Sequence, residues 1–150
     1  MTNKKWNAHL SVNLTSVIIK VMFAIFAVAL FGMPYYAKYM NVALSGKVYI
    51  PFLIAFYFCA AFAFTALFNL NKLLKNIKSE KIFVHENVKY MRILSWCCFA
   101  VAIATFILEF WIYHFFVITA AASFFGLILR VLKNVFEEAV KIREENDFTI

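Results

Sequence analysis

The sequence predicts an all-α integral membrane protein with four transmembrane helices, a cytoplasmic helical hairpin extension between helices two and three, and an amphipathic C-terminal extension. Three observations carry this. Hydrophobic residues make up 65% of the 150 positions and aromatics 19%, with three Gly and two Pro, which is more apolar surface than a soluble core of this size hides. Apolar runs long enough to cross a bilayer, about 20 residues at 1.5 Å each, fill most of the chain. The one long polar interval between them, 70–92, carries six of the fifteen Lys and Arg, and a basic interval of that kind holds a loop on the cytoplasmic side. The chain reads as a single four-span membrane domain, 1–150, with no room for a separate soluble unit.

Span one covers about 14–33 and is expected to end at Pro34, with Tyr35, Tyr36 and Tyr39 clustered behind it. The polar entry of Asn13, Thr15, Ser16 and Lys20 favours a retained span over a cleaved signal peptide. Lys20 has two readings: a lysine near the inner boundary whose stem snorkels to the headgroups, or a buried cation facing Glu109 or a ligand. The short connection from Pro34 to Pro51 turns at Ser45-Gly46 and reads as extracytoplasmic.

Span two covers about 48–70, and Ala55, Ala60, Ala63 and Ala66 give it a stripe of small residues where a neighbouring helix can approach. Leu70, Leu73, Leu74 and Ile77 then continue one helical face beyond the membrane, for about two turns. A new helix is expected to start near Val84 to Glu86, with Glu86 placed where the helix macrodipole favours a carboxylate. From Met91 to Leu132 the chain is apolar for 42 residues, which as one helix would be about 63 Å long, so it must fold back. The polar interruption Glu109 to His114, flanked by Trp111 and Tyr113, marks an outer turn, giving spans at about 91–108 and 115–132. Thr119, Ala122, Ser123 and Gly126 suit close packing within the bundle or between copies in a homo-oligomer.

The C-terminal helix and tail, 130–150, keep an apolar face of Val131, Leu132, Val135, Phe136, Ala139 and Val140, beside a charged ladder of Lys133, Glu137 and Lys141. An acidic end follows, and we expect it to fold back on the hairpin near Lys89 and Arg92, with Arg92 the preferred cation for Asp147 and its neighbours. Twelve of the fifteen cations fall on the proposed inner side, with Lys38 and Lys47 outside, so both termini are expected in the cytoplasm of a multi-pass cell-membrane protein. The net charge of +7 thus speaks for topology and contact with membrane lipid, not for direct nucleic-acid binding.

Chemistry-bearing patterns are sparse. His9, His85 and His114 are scattered, Cys59, Cys97 and Cys98 lie within apolar runs, and no metal-ligand spacing, nucleophile motif or phosphate loop is present. We expect no enzymatic activity and no cofactor. The ionisable groups nearest the membrane, Lys20, Glu109 and His114, are what a small transporter, channel or accessory subunit would use, which is the alternative reading.

The hairpin residues Phe83, Glu86, Asn87 and Arg92, with the ending Arg143, Glu144, Glu145, Asn146, Asp147, Phe148, Thr149 and Ile150, resemble the two signatures of a family of small bacterial membrane proteins, the domain-of-unknown-function family twenty-nine seventy-five. The four hydrophobic segments, the hairpin and the acidic end occur in the same order. Where the family usually has Gly, Ser or Thr, and Leu, this chain has Glu80, Val84 and Phe148, and without a hydroxyl at Val84 the usual N-cap is missing. The resemblance implies a membrane partner of a small Xre-type helix-turn-helix regulator, since members are commonly encoded beside one. The interaction surface it points to comprises those signature residues with Lys89 and Tyr90 of the hairpin.

Overall fold

The structure is a computed structural model that describes residues 2–43, 49–110 and 112–147. Four long helices follow in chain order: α1 Thr2–Ala43, α2 Tyr49–Lys78, α3 His85–Glu109 and α4 Phe116–Asp147, with a short 3-10 turn at Tyr113–Phe115 before the last. All four are long and apolar enough to cross a membrane. Ser45, Gly46, Lys47 and Trp111 lie outside the described residues, as do Phe148, Thr149 and Ile150 and the side chains of Tyr113 and Asp147.

The first span does not end at Pro34. Helix α1 continues through it to Ala43. Proline lacks the N–H that would bond the carbonyl four residues back, a loss that ordinarily breaks a helix in water. Among apolar neighbours a broken helix would strand several backbone groups instead of one, so the chain stays helical. The carbonyl released is that of Leu30, and the Tyr57 hydroxyl of α2 donates to it across 3.4 Å.

Helices pack in sequence order. Among the described residues α1 lies against α2, α2 against α1 and α3, and α4 against α3, so the four form a row in which α3 is the most covered. The row is antiparallel: Phe23 meets Phe64 and Tyr36 meets Phe52. Its apolar core has two centres. One, at the end where α3 turns into α4, gathers Ala37, Phe52, Leu108 and Ile112. The other, at the hairpin end, gathers Leu73, Met91 and Leu94, with Leu70, Ile77 and Phe136 packed on it.

Between these centres α3 and α4 approach through small residues. A Cβ built on Gly126 would lie 3.1 Å from the Phe99 ring and 3.3 Å from Cys98 Cβ, so any side chain there would have to push these neighbours aside by a few tenths of an ångström. The Ser95 hydroxyl donates to the Gly126 carbonyl at 2.9 Å, and the Thr119 and Thr105 hydroxyls are bonded at 2.9 Å. Interhelical hydroxyl bonds of this kind replace water as partner in a dry interface. On α4 the expected ladder forms between Lys133 and Glu137 at 2.6 Å, whereas the Lys141 ammonium lies 3.5 Å from Glu138.

Candidate functional site

Helix α2 leaves its apolar section near Asn69 and runs on to Lys78, where the chain reverses in a six-residue connection to α3. The reversal is a left-handed C-cap. Glu80 has φ 60°, the Glu80 amide donates to the Ile77 carbonyl at 3.1 Å and the Lys81 amide to the Asn76 carbonyl at 3.0 Å. That position ordinarily belongs to glycine, because a Cβ crowds the following carbonyl in the left-handed region.

The loop closes around Asn87, which is fully buried although it was expected on the interaction surface. Its amide nitrogen donates to the carbonyls of Lys81 and Ile82 at 2.8 and 2.7 Å, and its oxygen accepts from Asn76 Nδ2 at 2.8 Å. Every polar atom of the side chain that the loop encloses thus has a partner, as burial demands. Val84 is the N-cap of α3 and makes no side-chain cap bond, in keeping with the absent hydroxyl; its carbonyl accepts from the Asn87 amide at 3.0 Å. Glu86 sits exposed in the first turn, 3.5 Å from Asn76 Nδ2.

The extension of α4 then lies along this hairpin. The Phe83 and Phe136 rings stand 5.8 Å apart, Val140 is buried, and Arg143 Nη1 donates to the Phe83 carbonyl at 3.5 Å. Two polar contacts flank them: His85 Nε2 to Glu144 Oε1 at 2.9 Å, and Arg92 Nη2 to Glu137 Oε1 at 3.5 Å. Among the described residues Arg92 thus pairs with Glu137, and the tail's Glu144 meets His85; the expected contact of Arg92 with Asp147 and the residues after it lies outside the described residues. The Lys133 hydrogen bond holds the Glu137 carboxyl below the usual glutamate range, with the charges of Lys133, Arg92 and Lys141 adding to it. This pairing has a signal in the sequence that the tail reading passed over. His85 and Arg92 are seven residues apart, and so are Glu137 and Glu144, so two antiparallel helices match both pairs at once. Of the remaining surface residues, Lys89, Glu145 and Asn146 are exposed, and Tyr90 is half-buried on the apolar cluster with the Lys72 ammonium 5.9 Å from its ring.

The intramembrane candidates do not converge. Lys20 is exposed on α1, three residues before Phe23, whose partner is Phe64. Glu109 is half-buried at the opposite end of α3, beside Leu108, which clusters with Ala37 of α1; Ala37 lies seventeen residues, about 25 Å, along α1 from Lys20, so the buried Lys20–Glu109 pair does not form. His114 is exposed at the rim of a cavity of about 660 Å³ lined mainly by apolar groups, among them Met33, Phe52, Leu108 and Ile118. Among the described residues no three His, Cys, Asp or Glu side chains gather as a metal site.

The hairpin end is thus an assembly of three helices, with its buried Asn87 satisfied and an apolar and charged exterior. No curated protein and no solved structure matches the chain. The family model for the proteins of unknown function DUF2975 matches residues 36–150, taking in all of the hairpin and the α4 extension, and the chain belongs to that family.

Proposed function

We propose that this protein is a non-enzymatic, multi-pass cell-membrane protein with both termini in the cytoplasm, whose hairpin end and α4 extension dock a soluble regulator. What supports this reading is how far the polar end is built. Helices α2 and α4 continue past their apolar sections, and Phe83, Phe136, His85, Glu144 and the Asn76–Asn87 pair join them into one body. Insertion needs only cations in a loop. A rigid surface with Ile82, Phe83, Lys89 and Glu145 exposed on it suits a protein partner. Resemblance to a family whose members are commonly encoded beside an Xre-type helix-turn-helix regulator names the partner class, and on this reading DNA is contacted by the regulator and not by this chain.

The test is purification of the tagged chain from membranes together with an Xre-type regulator produced alongside it. We expect the regulator to be retained by the natural chain and released by the double variant Ile82→Asp, Lys89→Glu, both exposed positions. A regulator that stays soluble with either chain sinks the reading. The alternative, a small transporter, channel or accessory subunit, has the 660 Å³ cavity near His114 in its favour. Solute uptake into vesicles that falls on His114→Ala would move the assignment there.

A further inference from the structure

Where α3 begins its apolar run and α4 ends its own, three cations face one small cleft. Arg92 immediately precedes the run that starts at Ile93, Arg130 immediately follows the run that ends at Leu129, and Lys133 lies one turn further on. Together with Ser95 and Trp96 they line a cleft of about 50 Å³ between the two helices. A water needs roughly 10–15 Å³ of such space, so the cleft takes an oxyanion of a few heavy atoms and excludes a ring or an acyl chain.

Its charge is unbalanced. Glu137 is the one carboxylate that reaches the cations from within the described residues, bonded to Lys133 at 2.6 Å and to Arg92 at 3.5 Å. Arg130 has no carboxylate partner among the described residues; its guanidinium lies 5.5 Å from the Trp96 ring, which holds it at the cleft without neutralising it. Three cations against one anion leave two positive charges at a single membrane level. Below the cleft an apolar stripe descends toward the bilayer, Trp96 and Ile103 on α3 and Leu127 on α4, each more than half exposed.

We propose that this cleft binds the phosphodiester of an anionic membrane phospholipid, with Arg92, Arg130 and Lys133 around the phosphate and the lipid's chains along Trp96, Ile103 and Leu127. Planar guanidinium groups match phosphate oxygens in paired bonds, and the site's excess charge disfavours a headgroup that carries its own ammonium. Basic pockets between helices at a membrane boundary are suited to such headgroups. A free phosphate shares the oxyanion chemistry but has no use for the apolar stripe, and the cleft's level at the end of both apolar runs places it among lipid phosphates.

The test uses the full chain in non-ionic detergent with Trp6→Phe and Trp111→Phe, so that Trp96 is the sole tryptophan. Phosphatidylglycerol and phosphatidylcholine carrying brominated chains are titrated separately, and quenching of Trp96 is read. Phosphatidylglycerol should quench at a mole fraction roughly tenfold lower, from two uncompensated charges near the lipid surface. Arg92→Gln with Arg130→Gln should bring the two lipids to parity, whereas Lys75→Gln with Lys78→Gln, the same charge change at the far tip of the hairpin, should leave the preference intact. Equal quenching by both lipids in the unmodified site overturns the proposal, and that comparison requires no charge variant to fold. A preference that survives loss of both arginines overturns it as well. Restoration of Trp96 fluorescence by millimolar inorganic phosphate, at constant ionic strength, would assign the cleft to a free anion and overturn the lipid.

Discussion

Glu80 and Asn87 show how a single residue decides the shape of the hairpin end. Glu80 holds a left-handed conformation at φ 60°, which costs a side-chain-bearing residue about 1–2 kcal/mol. Glycine would relieve that and give back about 0.5–1 kcal/mol through its greater freedom in the unfolded chain. Glu80→Gly should therefore stabilise the protein by about 0.5–1 kcal/mol in reversible unfolding in detergent. No change, or a loss, would mean the reversal is not strained. Asn87 works in the opposite sense. Its side chain is fully buried and its amide holds the Lys81 and Ile82 carbonyls, so Asn87→Ala takes that partner from both carbonyls and leaves Asn76 Nδ2 only its longer contact to Glu86. The expected cost is about 1–3 kcal/mol per group left unsatisfied, seen as faster proteolysis within 79–84. The departure at Glu80 was visible in the sequence as a family glycine replaced. Asn87 was not legible as an interior residue, because an asparagine between Glu86 and Lys89 looks the same whether it faces water or closes a loop.

At the scale of elements, the α3–α4 contact is a close one, and it was legible. Small residues at Thr119, Ala122, Ser123 and Gly126 announced a close approach, and the glycine lies where a Cβ would meet the Phe99 ring at 3.1 Å. Gly126→Leu should lower folded yield in detergent sharply, while Leu127→Phe, on an exposed face, should be tolerated. Similar yields from both would remove the packing role of Gly126. The extension was legible as amphipathic, but the Arg92–Glu137 and His85–Glu144 pairs were not read, since net charge in the tail drew attention away from the seven-residue spacing shared by His85, Arg92, Glu137 and Glu144. Exposed pairs contribute only about 0–1 kcal/mol each, so the extension must be held mainly by Phe83, Phe136 and Val140. The charges then set register. Arg92→Glu should loosen the extension to protease, and adding Glu137→Arg should restore protection in part. Acid should act on the same contact. The Glu137 carboxyl has its pKa depressed in the fold, so its contribution is present above the ordinary glutamate range and disappears as pH falls through the lowered value. Protection of the extension should accordingly persist at neutral pH and decline only in strong acid.

The whole molecule is a row of four helices whose two described ends differ in charge, and that asymmetry is expected to orient it. Hydropathy alone located the four apolar segments but left their arrangement open, because a helix facing lipid on one side and another helix on the other is apolar on both, and the periodic signal that sorts faces in water is lost. It returns only in the α2 and α4 extensions, which were the parts whose faces could be read. Cations follow the same division. Lys72, Arg92, Arg130 and Lys133 sit at the hairpin end where the apolar runs stop, and Lys75, Lys78 and Lys81 lie beyond them. At the opposite end the described residues offer Lys38, with Glu109 and His114 at the α3–α4 turn. Lysine and arginine in short loops resist translocation, while acidic residues contribute little to the bias. The hairpin end is therefore expected to face the cytoplasm. Single substitutions Ser79→Cys at the hairpin tip and Lys38→Cys on α1, both exposed, can be labelled in intact cells with a maleimide that does not cross membranes. The native thiols lie within the apolar spans, and the unsubstituted chain, labelled in parallel, gives their background. Lys38→Cys should label in intact cells and Ser79→Cys only after the membrane is opened; the reverse pattern would place the hairpin, the α4 extension and the proposed regulator surface outside the cell, and with them remove any route to a soluble DNA-binding partner.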